Sequence, residues 1–219
     1  MIQTKDSAEG GNLKVRSYNH IKRKILSLEF KPGDPLSEKQ LMEEIGASRT
    51  PIREALNKLE EEHLVKIHPM RGIFVTEVSV KDVVDVYSLR TVLEPFAVRL
   101  AMSRLTPTAL EPYSKFWGEA SSLHDNEEHL LMDSSFHRCI SDASSNKYLI
   151  QTLSLLYNQA ARIRMLSLSR FMSRREETKA EHLEIIDAIM AGDSLRAEKA
   201  MATHMTHATE TALRVFSTQ

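Results

Sequence analysis

The chain has 219 residues, 42% apolar and 27% charged, enough to bury a core in one large or two small domains and too apolar for wholesale disorder. Its 29 Lys+Arg against 30 Asp+Glu give a formal net charge of -1, which excludes coating nucleic acid by bulk positive charge but not a local basic surface. The single cysteine, Cys139, excludes an internal disulfide framework and a CxxC metal site, and Asp85, Arg90, Glu94 and Arg99 exclude a membrane span over the least polar stretch, 83–102.

The first residues, 1–13, are polar and have no apolar core of a secretion signal, so they read as a flexible leader. Val15, Tyr18, Ile21, Ile25 and Leu28 then recur at helical spacing and predict a helix over 14–28. Two prolines and a glycine within 32–35 end it. Ser37 with Gln40 three residues on is a capping box for a short helix over 38–45, closed by Gly46. Ser48, with Pro51 in the first turn, opens a third helix over 49–61. The β-branched runs 64–68 and 72–76, separated by Pro69-Met70-Arg71, predict an antiparallel hairpin and the only β structure in the chain.

From Ser79 onward the pattern is helical, with a start signal before each segment. Ser79-x-x-Asp82 opens 80–103, Thr106-Pro107 opens 107–122, and Asp125-x-x-Glu128 opens 126–143. Asn146 precedes 147–169, Ser173-x-x-Glu176 opens 174–191, and Gly192-Asp193 leads into 194–216. Six helices with short connections predict an antiparallel bundle. The fold class is therefore mainly α, with a small N-terminal domain over 14–78 and a helical bundle over 79–219.

Two short helices and a hairpin make the layout of a winged helix-turn-helix, in which the second short helix enters the major groove. Ser48, Arg49, Thr50 and Arg53 crowd the start of that helix. Arginine can bond guanine edges bidentately, while hydroxyls hold phosphates. Arg71 and Gly72 lie at the hairpin tip, where a wing approaches the duplex. Pro32-Gly33-x-x-Leu36-Ser37-Glu38, the run Gly46-Ala47-Ser48-Arg49-Thr50-Pro51-Ile52-Arg53-Glu54-Ala55-Leu56 and Arg71-Gly72-x-Phe74-Val75 together resemble the DNA-binding domain of GntR-type bacterial transcriptional regulators. The resemblance implies DNA contacts by Lys39, Arg49, Arg53 and Gly72, assisted by Ser48 and Thr50. One departure is His63, near which relatives commonly carry glycine. Residues 1–78 hold 13 Lys+Arg against 12 Asp+Glu, so affinity rests on a few placed cations and on dimerisation.

In the bundle, Asp133 and His137 share one helix face at i,i+4, with His182 and His204 on two later helices. One carboxylate and three imidazoles can form a divalent site for Zn²⁺, Ni²⁺, Co²⁺, Mn²⁺ or Fe²⁺, although a given one of nine scattered histidines is more often a solvated or hydrogen-bonded residue. Asp133-x-x-Phe136-His137-Arg138, Glu181-His182-x-x-Ile185 with Gly192-Asp193, and Ala200-Met201 with His204 are similar to the FCD ligand-binding domain of the FadR-like GntR subgroup, in its six-helix, VanR-like form. That resemblance implies a metal held by Asp133, His137, His182 and His204, with open positions for a small carboxylate effector. It also places Arg90 near the effector, whereas the spacing alone equally fits an Arg90–Glu94 ion pair. Arg138, Arg162 and Arg164 are weaker candidates, His207 reads as a surface residue or a spare ligand, and Cys139 as a small packed residue.

The expected function is a cytoplasmic, homodimeric, sequence-specific regulator, acting as a repressor on double-stranded operator DNA and tuned by a small organic acid at the metal. The alternatives are a regulator for which the metal itself is the signal, and an Asp/His₃ metalloenzyme. No HExxH or nucleophile motif supports the enzyme.

Overall fold

The computed structural model describes residues 5–119, 125–168 and 172–216. The chain forms two compact units, 1–78 and 79–219.

In the first unit, α1 (Lys5–Leu26) precedes β1 (Pro35–Leu36), α2 (Glu38–Ile45), α3 (Arg49–Glu61), β2 (Val65–His68) and β3 (Gly72–Val75). α1 starts nine residues before the predicted start, within the stretch read as a leader, whose first four residues lie outside the described ones. Its inward face differs from the expected one. Ser17, Ile21 and Ile25 are buried, Val15 is exposed, and Leu28 lies past the helix end with φ 61°. Ser17 can face inward because its hydroxyl donates back to the Leu13 carbonyl at 2.7 Å.

α2 begins at Ser37, whose side chain accepts from Gln40 N, and ends at Gly46 in the left-handed region, φ 69°. That conformation is cheap only for glycine, and it lets the chain turn into α3 within two residues. Ile21, Ile25, Leu41, Ile45, Ile52, Leu56 and Leu59 form the core between α1, α2 and α3, with Leu36, Leu64 and Ile73 from the sheet side.

The sheet has three strands in the order β1-β3-β2, all antiparallel. The hairpin was legible, but β1 corrects the expectation that the hairpin is the only β structure. Two residues inside a proline-rich connection have no periodicity to read, and Pro35 is tolerated because β1 is an edge. At the tip, Met70 is fully exposed with φ 64°, and Gly72 has φ 108°.

α3 ends in a Schellman turn. Leu64 N–H donates to the Leu59 carbonyl and His63 N–H to that of Glu60, with His63 itself at φ 57°. A side chain there is strained relative to glycine. His63→Gly is expected to stabilise the first unit by about 1 kcal/mol, read as a higher midpoint in urea. An unchanged or lower midpoint would show that the imidazole's own contacts outweigh the backbone strain.

The second unit contains α4 (Val80–Ala101), α5 (Pro107–Gly118), α6 (Asn126–Ala143), α7 (Lys147–Leu166), α8 (Arg175–Met190) and α9 (Ser194–Phe216). α4 packs against α9, α7 and α6, while α5 and α9 flank α8. The capping boxes Ser79–Asp82 and Asp125–Glu128 both form, and Thr106 and Asn146 cap α5 and α7. α8 is different. Arg174 rather than Ser173 occupies its cap position and makes no side-chain cap bond; its guanidinium reaches Glu181 instead. α5 stops at Gly118 and α7 at Leu166, so both end earlier than predicted, and the predicted positions 120–122 and 169 lie outside the described residues. The architecture is mainly α, with a winged helical N-terminal unit and an all-helical C-terminal bundle.

Candidate metal centre and nucleic-acid interface

Helical spacing aims the four C-terminal candidates at one point. Asp133 and His137 are one turn apart on α6, His182 comes from α8 and His204 from α9. One ligand atom from each lies within 4.8 Å of all the others. The three histidines are buried, at 1%, 0% and 4% exposure, so bulk water does not solvate their ring nitrogens.

Two carboxylates set the tautomers. Glu94 on α4 accepts from His137 Nδ1, and Glu181 on α8 accepts from His204 Nδ1 at 2.8 Å. An ionised carboxylate can only accept, so Nδ1 of each ring carries a proton and Nε2 is the nitrogen turned to the centre. Burial drives the Glu94 carboxyl upward, but Arg90 and His137 outweigh it and hold it at about 2. The two Nε2 atoms then face each other at 3.2 Å. That spacing matches two nitrogens on one tetrahedral ion, which are separated by roughly 3.3 Å, given metal–nitrogen bonds of about 2.0–2.1 Å.

Among the described residues, His182 has no hydrogen-bond partner at either ring nitrogen. Its ring packs on Trp117 with centroids 4.0 Å apart, and its Nε2 lies 3.6 Å from Asp133 Oδ1. Burial, and then the neighbouring His204, push its pKa well below the ordinary value, so it is a neutral imidazole with a lone pair to give. Burial also lowers His204, against the pull of Glu181. Asp133 is held far below the usual carboxylate range because Arg164, His137 and His182 overcome its desolvation. Three imidazoles, among them the orphaned ring of His182, and one carboxylate fit a divalent ion, and this donor set suits Zn²⁺, Ni²⁺, Co²⁺, Mn²⁺ or Fe²⁺.

Arg90 is 2% exposed, and its Nε donates to Glu94 Oε1 at 2.6 Å. The i,i+4 ion pair is therefore formed, and it continues through Glu94 to His137. Arg90 also lines a cavity of about 30 Å³ beside the centre, together with Asp133, Arg164, Arg174 and His204. A second cavity, of about 40 Å³, is lined by Trp117, His129, Asp133, Arg164, Lys179 and His182 among others. Arg138 is tied to Ser154 and Asn158, and Arg162 to Gln159. His207 binds Glu181 Oε1 at 2.6 Å and is outside the four-residue group. Cys139 is half-buried.

Sequence reasoning gave no role to Glu181 and weighed Glu94 only as a partner of Arg90. Glu181 is adjacent to a ligand in sequence but serves a ligand on another helix, and Glu94 lies 43 residues from His137. No spacing rule connects either pair.

In the first unit, Ser48, Arg49, Thr50 and Arg53 are exposed at the start of α3, Lys39 is exposed on α2, and Arg71 and Gly72 are exposed at the hairpin tip. Ser48 holds the cap position without a side-chain cap bond. Arg49 and Arg53 are one turn apart and converge on Glu38 of α2, with Nε–Oε2 and Nε–Oε1 distances of 2.9 and 2.7 Å. Glu38 was visible in the motif but had no assigned role. It fixes two long side chains in one orientation on the helix that a winged domain offers to DNA.

Glu38→Gln is expected to loosen both arginines and remove a repulsive charge near phosphates. The preference for operator over unrelated DNA should fall about tenfold, while non-specific binding rises. Competition gel shifts at fixed salt measure this. An unchanged preference would show that Glu38 does not orient the pair.

Two family models match the chain: "Bacterial regulatory proteins, gntR family" over residues 13–75, and "FCD domain" over 85–207. A transcriptional regulator from an unstable DNA locus of Streptomyces ambofaciens is 32% identical over 189 residues, covering 86% of this chain and 80% of that one. The transcriptional repressor RspR of Escherichia coli K12 is 27% identical over 207 residues, covering 90% and 88%. The solved structure of E. coli McbR/YncC shares the fold at a TM-score of 0.81, with 23% identity, over 93% of this chain and 98% of that one. These relatives are named as transcriptional regulators and not as enzymes. Among the described residues, no helix is long and apolar enough to cross a membrane. With a winged helix-turn-helix presenting paired arginines and a helical bundle enclosing an Asp/His₃ cluster, the chain belongs to the GntR family of DNA-binding bacterial transcriptional regulators and carries an FCD domain at its C-terminal end.

Proposed function

We propose that this regulator is a cytoplasmic repressor of the FadR-like, VanR-like type that binds a pseudo-palindromic operator as a homodimer. A divalent metal in its bundle receives a small carboxylate effector. The observation that carries the reading is the convergence of two Nε2 atoms at 3.2 Å with the unpartnered, wholly buried His182 beside Asp133.

Each residue has a distinct role. Arg49 and Arg53, oriented by Glu38, read base edges. Lys39, Ser48 and Thr50 position the phosphate backbone, and Arg71 and Gly72 bring the wing to the duplex. A homodimer supplies two reading helices for two half-sites. In the bundle, Asp133, His137, His182 and His204 hold the ion, while Glu94 and Glu181 fix the two rings that they touch. When bound, the metal supplies Lewis-acid positions that accept a carboxylate. Arg90 meets an acid that enters the smaller cavity. The acid then shifts the population between DNA-competent and incompetent arrangements, which requires unequal affinity for the two.

Trp117 is the only tryptophan in the chain and packs against the ring of His182, so the centre reports on itself. Titrating metal-stripped protein with Ni²⁺ or Co²⁺ is expected to quench its fluorescence with one-to-one stoichiometry. Saturable binding elsewhere, with no change at Trp117, would sink the assignment.

A further inference from the structure

Among the described residues, Leu28, His63, Met70 and Ser145 are the non-glycine residues with positive φ. Leu28, His63 and Ser145 follow the ends of α1, α3 and α6, where a left-handed residue closes the last turn of a helix. Met70 closes no helix. It sits at the tip of the β2–β3 hairpin, in a turn joined by Arg71 N–H donating to the His68 carbonyl at 3.1 Å. Pro69 fixes the first inner position of that turn, and the second, with positive φ, favours glycine or asparagine. A methionine there is strained, and because it is fully exposed its side chain gains no burial in return.

A single exposed apolar side chain means little by itself. Here strain and exposure fall on one residue, and the hairpin holds that residue out. His68 pairs with Gly72 directly below the turn, and the His68 and Phe74 rings meet edge-on at 6.0 Å. Behind them Val65, Ile73 and Val75 anchor both strands in the core of the unit. The tip is a fixed apolar point with one cation, Arg71, beside it. A protein-docking site would need a contiguous apolar patch, whereas the exposed neighbours of Met70 are His68, Pro69, Arg71 and Gly72.

With α3 of the same unit in the major groove, the wing meets the backbone and the adjacent minor groove. A two-stranded ribbon is too broad for a groove about 6 Å wide, but one unbranched side chain is not. Methionine is among the apolar side chains that wedge between base steps from the minor groove, and its flexible thioether adapts to an irregular gap. Arginine suits the negative potential of that groove where it is narrow.

We propose, resting on the reading of this hairpin as a DNA-facing wing, that Met70 enters the minor groove beside the half-site read by α3 and wedges open one flexible pyrimidine–purine step. The regulator would then select sequence at that step by deformability and not by base-edge hydrogen bonds.

The test uses duplexes that the full-length wild-type protein enriches from a random-sequence library. 2-Aminopurine, placed in turn at the adenines of TA and CA steps flanking the enriched motif, brightens when a base unstacks. Wild type is expected to brighten it at one step in each half-site. Met70→Gly removes the wedge and relieves the backbone. It should abolish the brightening and weaken the enriched duplex about tenfold to a hundredfold, with unrelated DNA changed less than about twofold. Its urea midpoint should be equal or higher, whereas a merely structural methionine would move affinity and stability in the same direction. Met70→Leu, still an apolar wedge, should keep the brightening. Arg71→Ala tests the wing itself and should weaken binding without restoring a dark step.

Met70→Gly binding the enriched duplex within about twofold of wild type, while Arg71→Ala loses affinity, would overturn the wedge and leave the wing standing. A wild-type complex with no brightened step, or Met70→Leu behaving as Met70→Gly does, would overturn it likewise. Wild-type affinity in both Met70→Gly and Arg71→Ala would remove the DNA-facing wing and this inference together, as would failure of the wild type to enrich any duplex.

Discussion

His182→Ala is expected to abolish metal-dependent stabilisation of the bundle. A four-ligand site of this chemistry binds its ion with roughly 10–16 kcal/mol, so one ligand of four is worth about 3–4 kcal/mol, or two to three orders of magnitude in affinity. Wild-type protein at a metal concentration a thousandfold above its dissociation constant gains about 4 kcal/mol of stability. The variant at the same concentration should gain little. The metal-free state should change far less, because the wild type already buries an imidazole whose two nitrogens have no partner among the described residues. Losing that unsatisfied ring offsets part of the cavity left against Trp117. Thermal melts with and without Zn²⁺, and Ni²⁺ quenching of Trp117, separate the two effects. If metal raised the melting temperature equally in both proteins, His182 would not be a ligand.

Arg49→Ala should show the largest effect on DNA. A bidentate arginine–guanine contact discriminates by about 1–3 kcal/mol. A homodimer uses it twice, so operator affinity is expected to fall by about 2–6 kcal/mol in total, with unrelated DNA affected much less. Lys39→Ala is the internal contrast. As a phosphate contact it should weaken all sequences alike and make the salt dependence shallower. Quantitative gel shifts over a range of salt concentrations distinguish the two patterns. Equal loss on operator and unrelated DNA in Arg49→Ala would place that arginine on phosphates.

Legibility in the sequence depended on how local the cause was. Capping boxes act within one turn, so Ser79–Asp82 and Asp125–Glu128 placed α4 and α6 correctly. Ser173-x-x-Glu176 had the same form, but Arg174 is drawn to Glu181 two turns away, and the helix starts one residue later than that box implies. β1 was invisible because its pairing with β3 is tertiary and only two residues long. In the site, the i,i+4 pair Asp133/His137 and the separate helices of His182 and His204 were readable. The carboxylates behind His137 and His204, and the fork from Arg164 to Asp133, join residues 23 to 43 positions apart and appear only when helices pack. Glu38 was part of a visible motif, yet its hold on Arg49 and Arg53 needed the angle between α2 and α3.

In the proposed mechanism the occupant of the Asp/His₃ centre controls DNA binding. The most direct measurement is operator affinity of the full-length protein in three states: metal-free, metal-loaded, and metal-loaded with a co-purified or screened small acid. The acid is expected to change wild-type affinity at least tenfold in the metal-loaded state and not at all in His182→Ala. If wild-type protein with metal and acid demonstrably bound had the same operator affinity in all three states, the centre would not control DNA binding.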